Sequence, residues 1–112
     1  SDFSNTVQLQ VVGVDELGVP NTFALHQNYP NPFNPTTLIR YELPEAAYVR
    51  IVVYNVLGQK VATLVDQSMN AGYYDISWSG TNDLGSSVSS GIYLYRIESE
   101  KFNAVRKLMY LK

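Results

Sequence analysis

From Phe23 onward the chain repeats one pattern: a short run in which apolar and polar side chains alternate, then a cluster of Gly, Pro, Asn or Ser. Alternation with a period of two places successive side chains on opposite faces of an extended chain, so each run is a predicted β-strand. Seven runs qualify, at residues 23–28, 37–43, 48–54, 60–65, 72–78, 92–98 and 103–111. The expected inward faces are Ile39, Tyr41 and Leu43; Val49, Ile51 and Val53; Tyr74, Ile76 and Trp78; and Tyr93, Tyr95 and Ile97. Opposite them stand Arg40, Glu42, Arg50, Asp75, Ser77, Arg96 and Glu98, the pattern of antiparallel sheets wet on one side. In the last run Val105, Lys107, Met109 and Leu111 alternate with Arg106, Leu108 and Tyr110, so neither face is cleanly apolar, which suits an edge strand.

No stretch of a dozen residues combines helical apolar spacing with freedom from Gly and Pro, so the fold class is all-β. Strands spaced this closely with turns between them predict a sandwich or a barrel. Asn55-Val56-Leu57-Gly58 places Asn first and Gly fourth, the chemistry of a type I turn followed by a left-handed Gly, and Asn82-Asp83-Leu84-Gly85 repeats it. Upstream, residues 7–12 are a further strand candidate, and the polar stretch 13–21 reads as a turn or linker with a boundary near Pro20. Residues 1–22 are therefore expected to be a linker or the tail of a preceding domain, or to add one strand to the domain at 23–112.

Composition narrows the function. With 112 residues, 46% hydrophobic and 16% charged, there is material for one core and none of the signature of disorder. The absence of Cys removes disulfides and thiolate metal sites, leaving packing as the source of stability. A net charge of −2 offers no general attraction to nucleic acid or anionic membrane, although Lys101, Arg106, Lys107 and Lys112 make the end of the chain locally basic. No apolar run approaches the ~20 residues that cross a bilayer, so no stable membrane insertion is expected. Residues 1–6 lack the basic and apolar regions of a signal peptide, so an exported parent would carry its leader outside this sequence.

The most unusual segment is Asn28-Tyr29-Pro30-Asn31-Pro32-Phe33-Asn34-Pro35-Thr36-Thr37, with three prolines within six residues. Each Pro fixes its own φ, removes an N–H and pushes its predecessor toward extended geometry, so the run is a stiff connector rather than a central strand. This run, followed by Ile39-Arg40-Tyr41, resembles the opening signature of type IX (Por) secretion C-terminal sorting domains, type A. Val53-Tyr54-Asn55-Val56-Leu57-Gly58-Gln59-Lys60-Val61 resembles that family's central hairpin, Gly91-Ile92-Tyr93-Leu94-Tyr95-Arg96 its penultimate strand, and Arg106-Lys107 through Lys112 its basic end. The four pieces occur in the family's order. One departure is Asn55, where the family usually carries Asp.

The resemblance implies an immunoglobulin-like antiparallel β-sandwich of about seven strands, related to the Ig-like domain of the flagellar hook-cap assembly protein. Ig-like here means architecture only, because antibody-type domains carry a Cys pair across a core Trp. It also implies a role: an address for export of an upstream passenger across the outer membrane, to the medium or the cell surface. The implied partners are the outer-membrane secretion machinery and a sortase-like protease, with a cut expected in the stretch 18–27. The domain itself is expected to be a monomer.

The expected recognition residues are Asn31, Pro32, Phe33, Asn34 and Pro35 in the proline run, and Arg106, Lys107 and Lys112 at the end, where a final strand can offer unpaired backbone to a partner. The alternative for the proline run is that it seals one end of the sandwich, and the burial of Phe33 decides between them. Gly58, Gly85 and Gly91 are read as backbone necessities, with Tyr93, Tyr95 and Trp78 as core aromatics, against a minority reading as a sugar-stacking platform. Asn82, Asp83 and Asp75 supply oxygens for a calcium site but lack the dense acids of a calcium loop, and turn chemistry accounts for the first two. His26 is the only His and no nucleophile motif accompanies it, so neither catalysis, cofactor nor metal is expected. The alternative function is a non-catalytic structural or carbohydrate-binding module of a secreted multidomain protein.

Overall fold

A computed structural model describes residues 18–112; the strand expected at 7–12 lies outside them. Within this range the alternating runs form seven strands: β1 (Ala24–Leu25), β2 (Thr37–Leu43), β3 (Ala47–Tyr54), β4 (Lys60–Met69), β5 (Gly72–Trp78), β6 (Gly91–Glu98) and β7 (Asn103–Tyr110). They make two antiparallel sheets, ordered β1-β2-β5 and β4-β3-β6-β7. Ile39, Tyr41 and Leu43 from one sheet and Val49, Ile51, Val53, Tyr95 and Ile97 from the other are buried, which is the face assignment that alternation predicts.

The differences from expectation have local causes. Tyr74 and Ile76 point inward but are only half-buried, because β5 is an edge strand with no neighbour on its far side. Val52 is buried although alternation turns it outward; it lies in a central strand, with Thr63 and Arg96 beside it in register, and the β3–β4 pairing shifts next to it. β4 runs four residues beyond the expected Val65, to Met69, and the first strand shrinks to Ala24–Leu25. In β7 the undecided face resolves as Leu108 and Tyr110 inward. Pro20 is buried, so the described chain already packs on the domain there.

Both predicted turns form with the same geometry. The Gly58 N–H donates to Asn55 O (3.0 Å) and the Gly85 N–H to Asn82 O (2.9 Å), with φ of 82° and 84° at the glycines. Each Asn Oδ1 accepts two further backbone N–H groups, from Leu57 and Gln59 in one turn and from Leu84 and Ser86 in the other. A neutral amide oxygen performs this task as a carboxylate would, which is why Asn55 serves where the resembling family has Asp. The second turn also docks on the outer edge of β4: Asp83 N–H donates to Val61 O (3.1 Å), and Thr63 N–H donates to Asp83 Oδ1 (2.8 Å).

One end of the sandwich is closed by aromatic rings. Phe33 stacks on Tyr110 with centroids 4.9 Å apart and lies 5.6 Å from Trp78, whose edge meets Tyr93 at 5.4 Å. Trp78 is buried, as expected of a core aromatic, and its Nε1 donates to Thr81 O (2.8 Å). Gly80 lies against this cluster with φ of 72°, and a Cβ there would sit 2.5 Å from the Tyr110 ring.

Two expectations follow from this packing. Gly80→Ala combines a left-handed backbone with a ring clash and should cost at least about 2 kcal/mol in urea unfolding; Gly58→Ala, with open space around its Cβ position, should cost roughly 1 kcal/mol. Burial pushes the Tyr41 and Tyr95 hydroxyls up to about 12, against about 10 in an unfolded chain. A raised folded pKa leaves stability intact below the unfolded value and removes it as pH climbs through the folded one. Stability followed by circular dichroism should therefore hold to about pH 10 and fall between about 10 and 12.

Candidate functional site

The proline run leaves several backbone groups without strand partners, and these are satisfied by an interlocked set of side chains. Asn28 is 2% exposed and sits at the centre. Its Nδ2 donates to Pro30 O (3.1 Å) and Thr37 Oγ1 (3.0 Å), while its Oδ1 accepts from Gln27 Nε2 (2.6 Å). Thr37 Oγ1 passes a bond on to Pro30 O at 2.9 Å. The Tyr95 hydroxyl accepts the Asn28 N–H (2.8 Å) and donates to His26 O (2.6 Å), joining β6 across the core to the strap. The peptide bonds preceding Pro30, Pro32 and Pro35 are cis.

From this anchor the strap crosses to the outer edge of β7. Phe33 N–H donates to Met109 O (3.0 Å) and Leu111 N–H to Phe33 O (3.1 Å), forming a parallel bridge between Phe33 and Tyr110. Met109 N–H donates to Asn31 Oδ1 (2.9 Å), and Gln27 Nε2 reaches Lys107 O (2.7 Å). Next to Lys107 in the same strand, Arg106 Nε donates to Leu25 O at 2.7 Å. The C-terminal half of β7 is thus already paired along its outer side by the chain's own residues, which corrects the expectation that the final strand offers unpaired backbone there.

The structure brings the two expected recognition segments together but divides their residues by role. Phe33 is 1% exposed, so it seals the sandwich; the outcome favours the structural reading of that ring. Asn31 is exposed yet committed to Met109, whereas Pro32, Asn34 and Pro35 face outward. Arg106 is exposed and gives its Nε–H to Leu25 O, and Lys101, counted in the basic end, is paired with Glu45 at 2.9 Å. Lys107 and Lys112 are exposed and carry no ion pair among the described residues; Lys112 is tied through its backbone N–H to Ser90 Oγ (2.9 Å). Gly91 opens β6 with φ of 150°, and Tyr93 is buried with its hydroxyl on Ser89 O (2.7 Å).

The remaining candidates are accounted for by local partners. His26 Nε2 lies 2.5 Å from Glu42 Oε2 on the outer face of the three-stranded sheet. Asp75 receives two bonds from Arg40, at 2.9 and 3.1 Å, and this guanidinium holds its carboxyl below the usual range. Asn82 Oδ1 accepts backbone N–H groups of its own turn, as turn chemistry predicts, whereas Asp83 Oδ1 accepts the Thr63 N–H of β4. Sequence reasoning missed Asn28, Thr37 and Gln27 as the strap's anchor. Their signal was an amide next to a proline run, and a Thr opening an apolar strand, both of which need partners once buried.

Comparison with known proteins places the architecture. No curated protein matches the chain. A solved structure, dimeric latent PorU from Porphyromonas gingivalis, superposes with a TM-score of 0.65 at 18% identity, covering 83% of this chain and 10% of that one. At that identity the likeness is one of fold, and the chain spans about a tenth of the neighbour's length. The profile of the FlgD Ig-like domain family matches residues 32–102. With a match over more than half its length, this immunoglobulin-like β-sandwich belongs to the FlgD Ig-like domain family.

Proposed function

We propose that the chain is a C-terminal sorting domain that directs an upstream passenger across the outer membrane by type IX secretion, to the medium or the cell surface. The observation that carries this reading is the closure of the proline strap on β7: two of the four segments that resemble the sorting family, its opening and its end, are one folded unit. Its outward groups, Pro32, Asn34, Pro35, Lys107 and Lys112, are the surface that the export machinery would contact. A folded clasp of this kind presents an address without performing a reaction. The fold shared with a segment of the latent PorU chain supports the same reading.

Processing by a sortase-like protease would fall upstream of β1. The expected window 18–27 narrows at its end, because Ala24 and Leu25 are in a strand, Arg106 holds Leu25 O, and Gln27 is bonded to Asn28 and Lys107. Family membership alone is equally compatible with a structural Ig-like module, and export of cargo separates the two.

A fluorescent cargo fused ahead of the full chain, in a host with a type IX apparatus, should reach the medium or surface. Periplasmic retention of a folded fusion would overturn the reading. The double variant Lys107→Glu/Lys112→Glu should keep its melting temperature and cut export at least tenfold; Phe33→Ala should lose about 3–5 kcal/mol of stability and export together. Mass spectrometry should place the C-terminus of the mature cargo before Ala24.

A further inference from the structure

The outer face of the three-stranded sheet carries a feature that the export role does not use. In register across β1, β2 and β5 stand three rows: Tyr29, Leu38 and Ser77; His26, Arg40 and Asp75; Ala24, Glu42 and Tyr73. His26, Tyr29, Leu38, Arg40, Glu42 and Asp75 line one shallow groove of about 350 Å³. Tyr29 is 79% exposed at one end of this face, and Tyr73 is 46% exposed at the diagonally opposite end. Leu38 and Glu42, their partners in β2, are four residues apart, which at the rise of a strand is about 14 Å.

Between the two rings the polar groups hold one another in place. Arg40 holds Asp75 through two parallel bonds, and His26 holds Glu42. A guanidinium with five donors and a carboxylate with four lone-pair sites keep hydrogen-bonding capacity after making these contacts. All four side chains remain solvent-accessible, from 20% for Glu42 to 57% for Arg40.

We infer that this face is a binding platform for a neutral oligosaccharide, whose rings stack on Tyr29 and Tyr73 while its hydroxyls bond to the Arg40–Asp75 and His26–Glu42 pairs. Exposed aromatic rings cover the apolar C–H faces of a sugar, and planar charged groups held in place bond adjacent hydroxyls without reorganising. Asp75 beside Arg40 and Glu42 beside His26 place a carboxylate wherever an anionic polymer would dock, which selects against it. The two rings stand about 14 Å apart along the strands and two strand spacings, about 10 Å, across them, which suits a short chain of sugars rather than one. This platform is on the opposite sheet from Lys107 and does not depend on the export reading.

The test is a printed array of neutral and anionic oligosaccharides probed with the full chain, followed by affinity electrophoresis through the best neutral polysaccharide. The wild type should bind a neutral glycan, Tyr29→Ala and Tyr73→Ala should each weaken it at least tenfold, and Tyr48→Ala, whose exposed ring is on the other sheet, should leave it unchanged. Each variant should retain the wild-type melting temperature. Binding to no neutral glycan, binding only to uronate or sulfated glycans, or binding that survives both tyrosine substitutions would overturn the inference.

Discussion

A β-sandwich built from two open sheets has edge strands whose unpaired N–H and C=O groups recruit further strands, and the management of those edges is the constraint on which this structure depends. β1 is kept to two residues. β4 is docked at Val61 and Thr63 by Asp83 and distorted by shifts in its pairing with β3. β7 is bonded from Lys107 to Leu111 by Gln27, Asn31 and Phe33. The proline run is suited to this last task because Pro cannot offer N–H groups of its own to a growing sheet, while its flanking amides and the Phe33 backbone supply the bonds that β7 lacks.

The same clasp ties energetics to function. Phe33 contributes its ring to the core and its backbone to the edge, so the strap cannot lift without opening the aromatic cluster at Trp78, Tyr93 and Tyr110. Asn28, Thr37 and Tyr95 bind the other end, and in a buried network each partner lost leaves another polar group unsatisfied. In the proposed export role, recognition of the clasp from outside would be recognition of the folded state, since the exposed lysines, prolines and Asn34 come together only when the strap is seated. An export address with that property would be read only on domains that have folded.

Much of the fold was legible because alternation is a strong signal wherever one face is buried: β2 and β5 occupy the predicted residues, and the two Asn-to-Gly turns form as their chemistry requires. What was not legible depends on neighbours. The half-burial of Tyr74 and Ile76 follows from the position of β5 in the sheet order, which no local pattern encodes. The burial of Val52 follows from its central place among three strands. In the candidate site, the residue types were visible in the proline run and the basic end, but their pairing across 78 positions, from Asn31 to Met109, was not. Whether Asn31 contacts a partner or its own last strand is decided by tertiary distance alone.

The central claim is that the strap supplies the missing bonds of the final strand in solution. Amide hydrogen exchange by NMR tests it most directly. The account predicts that Met109 and Leu111 exchange as slowly as amides of β6, that Val105, on the same edge beyond the strap, exchanges fast, and that Asn31→Ala accelerates Met109 while leaving Ile51 protected. Fast exchange at Met109 and Leu111 in the wild-type chain, with the core still protected, would contradict it.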